Sequence, residues 1–219
     1  MTGPLFELRL LEDTLVGGAS FAFDDEDVNR VVYVVHGRVS SAGATYGDDQ
    51  AWHAKGAQTL VAGSSGATIW RFELSPAGRE PARLAPPLGA TRDKLARPLD
   101  WPIADALLIR NDSVSFPPGG CAYLHTHQGP GIRCLIEGGI RIDTEGHSTS
   151  YGPGGAWFES GPAPVFAQAA SDRPSRFIRV MVLPASLKGR SSIAYVNPED
   201  QAKPKSQVYK GYVDEPIEV

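Results

Sequence analysis

Apolar residues along this chain come in short runs closed by glycine, proline or polar residues. One run is Val31-Val32-Tyr33-Val34-Val35, followed by His36-Gly37. Another is Ile132-Arg133-Cys134-Leu135-Ile136, followed by Glu137-Gly138-Gly139. Two later runs, Ala67 to Leu74 and Arg176 to Leu183, end at Ser75-Pro76 and Pro184. Short strands between turn signals make an all-β sandwich or barrel, and no long amphipathic helical period competes with that reading.

The runs repeat. Val31 to Val39 matches Ile132 to Ile140 at an offset of 101 residues, and Ala51-Trp52-His53 matches Ala156-Trp157-Phe158 at 105. A change of four residues is one loop-length difference between duplicated barrels. The expected organisation is an N-terminal barrel at 1–76, a connector at 77–102, a C-terminal barrel at 103–185 and an extended arm at 186–219. Pro76, Pro81, Pro86, Pro87, Pro98 and Pro102 predict an extended, semi-rigid connector, with one helical turn over Thr91 to Ala96. The arm is expected to pack on the body or on a neighbouring subunit.

Composition narrows the partners. Among 219 residues, 24 Gly and 18 Pro favour turns over long helices. A net charge of −4 provides no basic stripe for phosphates, which argues against nucleic acid. No apolar stretch reaches membrane-spanning length, and the first residues lack the basic-then-apolar order of a signal peptide, so the default expectation is a soluble cytoplasmic protein. Cys121 and Cys134 alone imply no disulfide framework.

Chemistry concentrates at His125 and His127. Side chains two apart on a strand share a face, so both imidazoles can reach one metal ion. Near pH 7 most imidazoles are neutral, which is the ligating form. The alternative is a histidine pair on a metal-free binding surface. Cys121 and Tyr123 share the alternation and are expected in the same cavity. His36 and His53 lack a histidine partner at metal spacing and read as structural.

The order Gly119-Gly120, His125-x-His127, Gly129-Pro130-Gly131, Leu135-Ile136-Glu137-Gly138 and Pro153-Gly154-Gly155 resembles the motifs of the cupins, small jelly-roll barrels. The resemblance is clearest over residues 105–184, and the whole chain resembles a bicupin with two jelly-roll β-barrels. It implies one divalent ion (Fe, Zn, Mn or Ni), with a carboxylate ligand near Gly131 or Ile132 and a third histidine near Val165 or Phe166. Neither ligand is present there. The nearest replacement is Glu159, readable as ligand, general base or exposed loop carboxylate; Gln168 and His147 are weaker candidates. In the implied register Gly131, Arg133 and Leu135 point inward, which puts Arg133 on a substrate carboxylate or in a salt bridge to Glu137 or Glu159. Tyr123, Arg133 and Gln168 are the expected substrate pocket. In the first copy Asp24 and Glu26 fall where the histidines would be, and the run Asp24-Asp25-Glu26-Asp27 reads as a solvated loop.

Two functions follow from the resemblance. One is a metal-dependent enzyme of dioxygenase, isomerase or lyase type acting on a small organic acid, with His125, His127 and Glu159 on the metal and Glu159 and Arg133 as catalytic residues. The other is a non-catalytic bicupin that binds a small, anionic molecule or serves structurally. A homodimer through exchanged edge strands fits both.

Overall fold

A computed structural model describes residues 5–24, 26–99 and 106–219. Asp25, Pro102 and the boundary expected at 102–103 lie outside the described residues. The chain divides into two compact units on either side of residue 100. Among the described residues no helix is long and apolar enough to cross a membrane.

The first unit contains β1 (Phe6–Leu15), β2 (Ser20–Phe23), β3 (Asn29–Ser41), β4 (Ala44–Tyr46), β5 (Gln50–Lys55), β6 (Gln58–Pro76) and β7 (Gly89–Leu99). All pairings are antiparallel. β3 joins β5 and β6, β6 joins β1, and β1 joins β7. The second unit contains β8 (Leu107–Phe116), β9 (Cys121–His127), β10 (Gly131–Glu137), β11 (Ile140–Thr144), β12 (His147–Tyr151), β13 (Ala156–Glu159), β14 (Val165–Ala169), β15 (Ser175–Pro184), β16 (Ile193–Tyr195) and β17 (Val208–Ile217), with a single helical turn at Glu199–Ala202. Its sheets run β13-β10-β15-β8-β17 and β12-β11-β14-β9-β16.

The path β5-β3-β6-β1-β7 repeats as β13-β10-β15-β8-β17. The register agrees with this at the residue level. Val32 faces Trp52 and Arg71 across its two ladders, and Arg133 faces Trp157 and Arg179. Both tryptophans stack on a tyrosine six residues earlier, Tyr46 at 4.1 Å and Tyr151 at 4.9 Å between centroids. The tryptophan in each copy is thus a packing element.

Two expectations are corrected. The connector is not an extended linker throughout: residues 89–99 form β7, and Thr91 to Ala96 is strand rather than a helical turn. The C-terminal arm packs on the body, one of the two placements expected for it, but the second unit does not end at residue 185, because the arm's β16 and β17 pair with β9 and β8 and belong to its sheets. β7 and β17 are edge strands, where a proline's missing N–H costs no ladder bond, so Pro98 and Pro216 are tolerated. An edge strand also has little buried face, so the apolar alternation that marks a strand is absent from Gly89 to Leu99.

The first unit buries a charge network. Arg9, Arg30 and Arg71 converge on Glu73 at 2.8, 2.9 and 2.5 Å, and Arg71 also grips Asp13 at 2.7 and 3.2 Å. Arg30 and Arg71 each lie 4.9 Å from the Phe23 ring centre. Burial alone would raise the Glu73 pKa; the three guanidiniums overcome this and hold it below the usual carboxylate range. Asp24 and Glu26 are exposed.

Candidate metal centre

His125 and His127 lie on β9, enclosed by β14 on one side and β16 on the other. Both are 5% exposed. Each ring is oriented through its Nδ1. That of His125 sits 2.6 Å from the Tyr123 carbonyl oxygen, which can only accept, so Nδ1 carries the proton and Nε2 keeps its lone pair. The Nδ1 of His127 lies 3.3 Å from Ser192 Oγ, whose own hydroxyl is directed at Met181 Sδ. Burial, with Arg133 and Arg179 nearby, pushes the His127 pKa well below its ordinary value. Burial also lowers that of His125, although Glu159 opposes the shift. Both shifts favour the neutral ring, the form that can ligate a metal.

Glu159 ends β13 and is buried, which removes the exposed-loop reading. It stands directly opposite Gly131 in the β10/β13 ladder. The carboxylate that the resemblance places near residue 131 therefore enters from the neighbouring strand. Trp157 donates its indole N–H to Glu159 Oε1 at 2.9 Å. Oε2 lies 3.5 Å from His127 Nε2 and 2.7 Å from Arg133 Nη2, yet receives no aligned hydrogen bond. A buried carboxylate oxygen beside two imidazole lone pairs suits a cation. The ligand atoms of His125, His127 and Glu159 lie within 4.8 Å of one another. Two atoms each bonded at about 2.1 Å to one tetrahedral ion sit about 3.4 Å apart, so the widest pair must close by about 1.4 Å on binding. These residues fit a metal with two nitrogen ligands and one oxygen ligand, with open positions beyond them.

Arg133 is fully buried. Its Nη1 donates to the Gly131 carbonyl at 2.7 Å, and its ion pair is with Glu159 rather than Glu137, which is exposed and paired with Arg176. Burial lowers the Arg133 pKa to about 10, against the attraction of Glu159. A Cβ at position 131 would lie 3.0 Å from Arg133 Nη1, 2.7 Å from Met181 Cγ and 2.5 Å from the Val180 carbonyl oxygen. Glycine at 131 thus makes the room that the guanidinium occupies. Val165, where the resemblance places a third histidine, is a buried apolar residue directly opposite His125.

Three expected pocket residues are elsewhere. Between Ala122 and His125 a bulge sets three steps of β9 against two of β14, because Ala167 faces Ala122 while Val165 faces His125. The bulge resets the alternation, so Ala122 lines the cavity and Cys121 and Tyr123 do not. Tyr123 instead lies beside the Lys203 and Lys205 ammonium groups. Gln168 donates to the carbonyls of Gly119 and Gly120, and His147 is exposed on β12, so neither joins the centre. His36 is exposed beside Asp48, and His53 bonds Asn29.

The structure adds residues that motif reading passes over. The free space amid His125, His127 and Glu159 is about 20 Å³, enough for one ion or water. Arg179, Ile193 and Tyr209 line it and also line an outer pocket of about 440 Å³ in the same unit. Arg179 grips Asp112 at 2.8 and 2.6 Å. In the outer pocket Gln207 bonds the side chains of Tyr195 and Tyr209, while its own buried Oε1 lacks a partner. Arg179 was traceable through the repeat, since it occupies the register position of Arg71. Ser192, Ile193 and Gln207 come from the arm, which carries no motif.

No protein-family model and no curated protein matches the sequence. Solved structures do match in three dimensions. An oxalate decarboxylase structure from Bacillus subtilis, described for its Mn(II) centres, has a TM-score of 0.62 at 13% identity, over 90% of this chain and 73% of that one. The formate complex of Lactobacillus farciminis oxalate decarboxylase has a TM-score of 0.65 at 13% identity, over 90% and 82%. Identity this low speaks for fold alone, and on that ground the chain has the β fold of these decarboxylase structures.

Proposed function

We propose that this chain is a metal-binding bicupin whose second barrel is a metal-dependent enzyme for a small organic acid, the first barrel being structural and metal-free. One observation carries the reading: two imidazole nitrogens from His125 and His127 and a buried carboxylate oxygen from Glu159 lie within 4.8 Å of one another around an ion-sized space that shares lining residues with a ligand-sized pocket. His125, His127 and Glu159 would hold the metal, which supplies Lewis acidity toward a bound oxygen when present. The chain's own groups do the rest. Trp157 and Ser192 orient the ligands, the apolar wall of Val114, Phe116 and Phe177 excludes water, and Arg179 at the inner end of the pocket favours an anion. The fold neighbours' Mn(II) makes manganese the first metal to test, with iron, zinc and nickel after it. A homodimer belongs to the same proposal, and the mass in solution checks it.

The test is metal content after purification without added metal and after loading, for the wild type and for His125→Ala and Glu159→Ala. Near-stoichiometric metal, lost in both variants, supports the reading. No metal after any loading overturns it. Full occupancy in Glu159→Ala removes Glu159 from the ligand set. A second reading, a non-catalytic binder of small anions, draws on the Arg133 contact with Glu159 Oε2, which occupies the third ligand. It predicts small-acid binding that is indifferent to metal.

A further inference from the structure

We infer that Arg133 makes metal binding at His125, His127 and Glu159 conditional on an anion, by holding Glu159 until both arrive. The inference rests on the metal reading above and goes beyond it by assigning a coupling between two ligands.

The argument is one of charge in a closed space. The buried ionic side chains at the centre form two balanced pairs, Arg133 with Glu159 and Arg179 with Asp112. The two imidazoles add no charge in the ligating form. A divalent cation placed there leaves two positive charges uncompensated in surroundings from which water is excluded, a state that is heavily penalised. It also takes Glu159 Oε2 from Arg133, whose guanidinium is then buried without a counter-charge.

The chain offers no internal remedy. Glu137, the other acid considered for Arg133, is exposed and paired with Arg176. Asp112 is held in a two-bond grip by Arg179. Retreat of the guanidinium is blocked as well. Its Nη1 is tied to the Gly131 carbonyl, Met181 Sδ lies 3.9 Å from Nη2, and the side chain is 1% exposed at most. The compensating charge must come from outside. The outer pocket lies against the centre, since Arg179, Ile193 and Tyr209 line both spaces. Lys205 and Arg190 also line that pocket, and among the described contacts neither is paired with a carboxylate, so it attracts anions. A small carboxylate with one charge, seated in the outer pocket against the shared wall of Arg179, restores half the balance of charge close to Arg133 and the metal. Coupling of this kind is reciprocal: the anion tightens the metal as much as the metal tightens the anion.

The experiment is titration of the metal-free full chain with Mn(II), at constant ionic strength, in sodium perchlorate and again with part of it replaced by sodium formate, followed calorimetrically. Formate is a weak chelator in water and leaves free Mn(II) nearly unchanged. The expected result is a dissociation constant lowered by about 10-fold or more in formate, within the range of about 5- to 150-fold common for coupled sites. Arg133→Met is expected to bind Mn(II) in perchlorate at least as tightly as wild type does in formate, and to lose the formate effect. Arg133→Gln keeps a donor for the Gly131 carbonyl and takes its place if Arg133→Met does not fold. Stoichiometric Mn(II) with the same affinity in both salts overturns this inference and leaves the metal reading standing. No Mn(II) in either salt overturns this inference, and the metal reading falls with it once iron, zinc and nickel also fail to bind.

Discussion

Gly131 and Glu159 face each other across the β10/β13 ladder, and between them they explain the irregular ligand set. The glycine leaves the volume that the Arg133 guanidinium fills, and the glutamate sends its carboxylate across to the centre. Neither residue is interpretable alone.

Filling position 131 should therefore be costly. In Gly131→Ala the new methyl meets the Val180 carbonyl oxygen and Met181 Cγ inside van der Waals distance, and neither can yield without moving β15. The expected loss is about 1–3 kcal/mol or more, as for other overpacked interiors, measured by chemical denaturation. An unchanged midpoint would show that Arg133 and β15 have freedom the structure does not display.

Breaking the Arg133–Glu159 pair from one side should cost more than removing both charges. Glu159→Gln leaves a fully buried guanidinium without a counter-charge, a loss of about 3–5 kcal/mol. The double substitution Arg133→Met/Glu159→Gln should recover most of it. A double variant as unstable as the sum of the single variants would mean that the ion pair contributes nothing.

Acid should weaken the metal-free protein before its carboxylates titrate. The unfolded imidazoles take up protons near pH ~6.5. In the folded chain His125 and His127 take them up only at lower pH, because burial penalises the charged rings. Below about pH 6.5 the unfolded state binds more protons, so stability rises with pH across this window and falls on acidification toward their depressed folded values. Thermal midpoints at pH 7.5, 6.5 and 5.5 should decline. His127→Gln should reduce the slope, and an equal slope in the variant would refute the assignment.

The two arginines at equivalent register positions should separate stability from metal binding. Arg71→Met removes the bridge between Asp13 and Glu73 and leaves two buried carboxylates short of a partner, at about 3–5 kcal/mol. Its metal content should match the wild type once the protein is folded. A loss of bound metal from folded Arg71→Met would contradict a purely structural role for that network.

Trp157→Phe should lower metal affinity while sparing most of the packing. The ring continues to stack on Tyr151, but Glu159 Oε1 loses its indole donor, worth about 1.5–3 kcal/mol for a bond to a charged group. Trp52→Phe breaks a longer, uncharged contact to Gln58 at 3.3 Å and should leave metal affinity unchanged.

The residues alone determined the strands that have a buried face, the recurring sequence runs, and the histidine pair. Period 2 is a local property, and it put His125 and His127 on one side of β9. Glu159 was a candidate because it follows Trp157 in a repeated segment, but its position opposite Gly131 is a matter of register between strands, which spacing along the chain does not encode. Tyr123 and Gln168 were misplaced for the same kind of reason: one extra residue between Ala122 and His125 inverts the alternation, and a bulge leaves no mark in the hydrophobic pattern. β7 and β17 were missed because an edge strand can be polar on both faces. Only the tertiary structure decided that Arg133 pairs with Glu159 rather than Glu137, and that the arm contributes Ser192 to the centre and Gln207 to the pocket beside it. The Arg133–Glu159 and His127–Ser192 contacts join residues 26 and 65 positions apart, brought together by sheet pairing that depends on the fold as a whole.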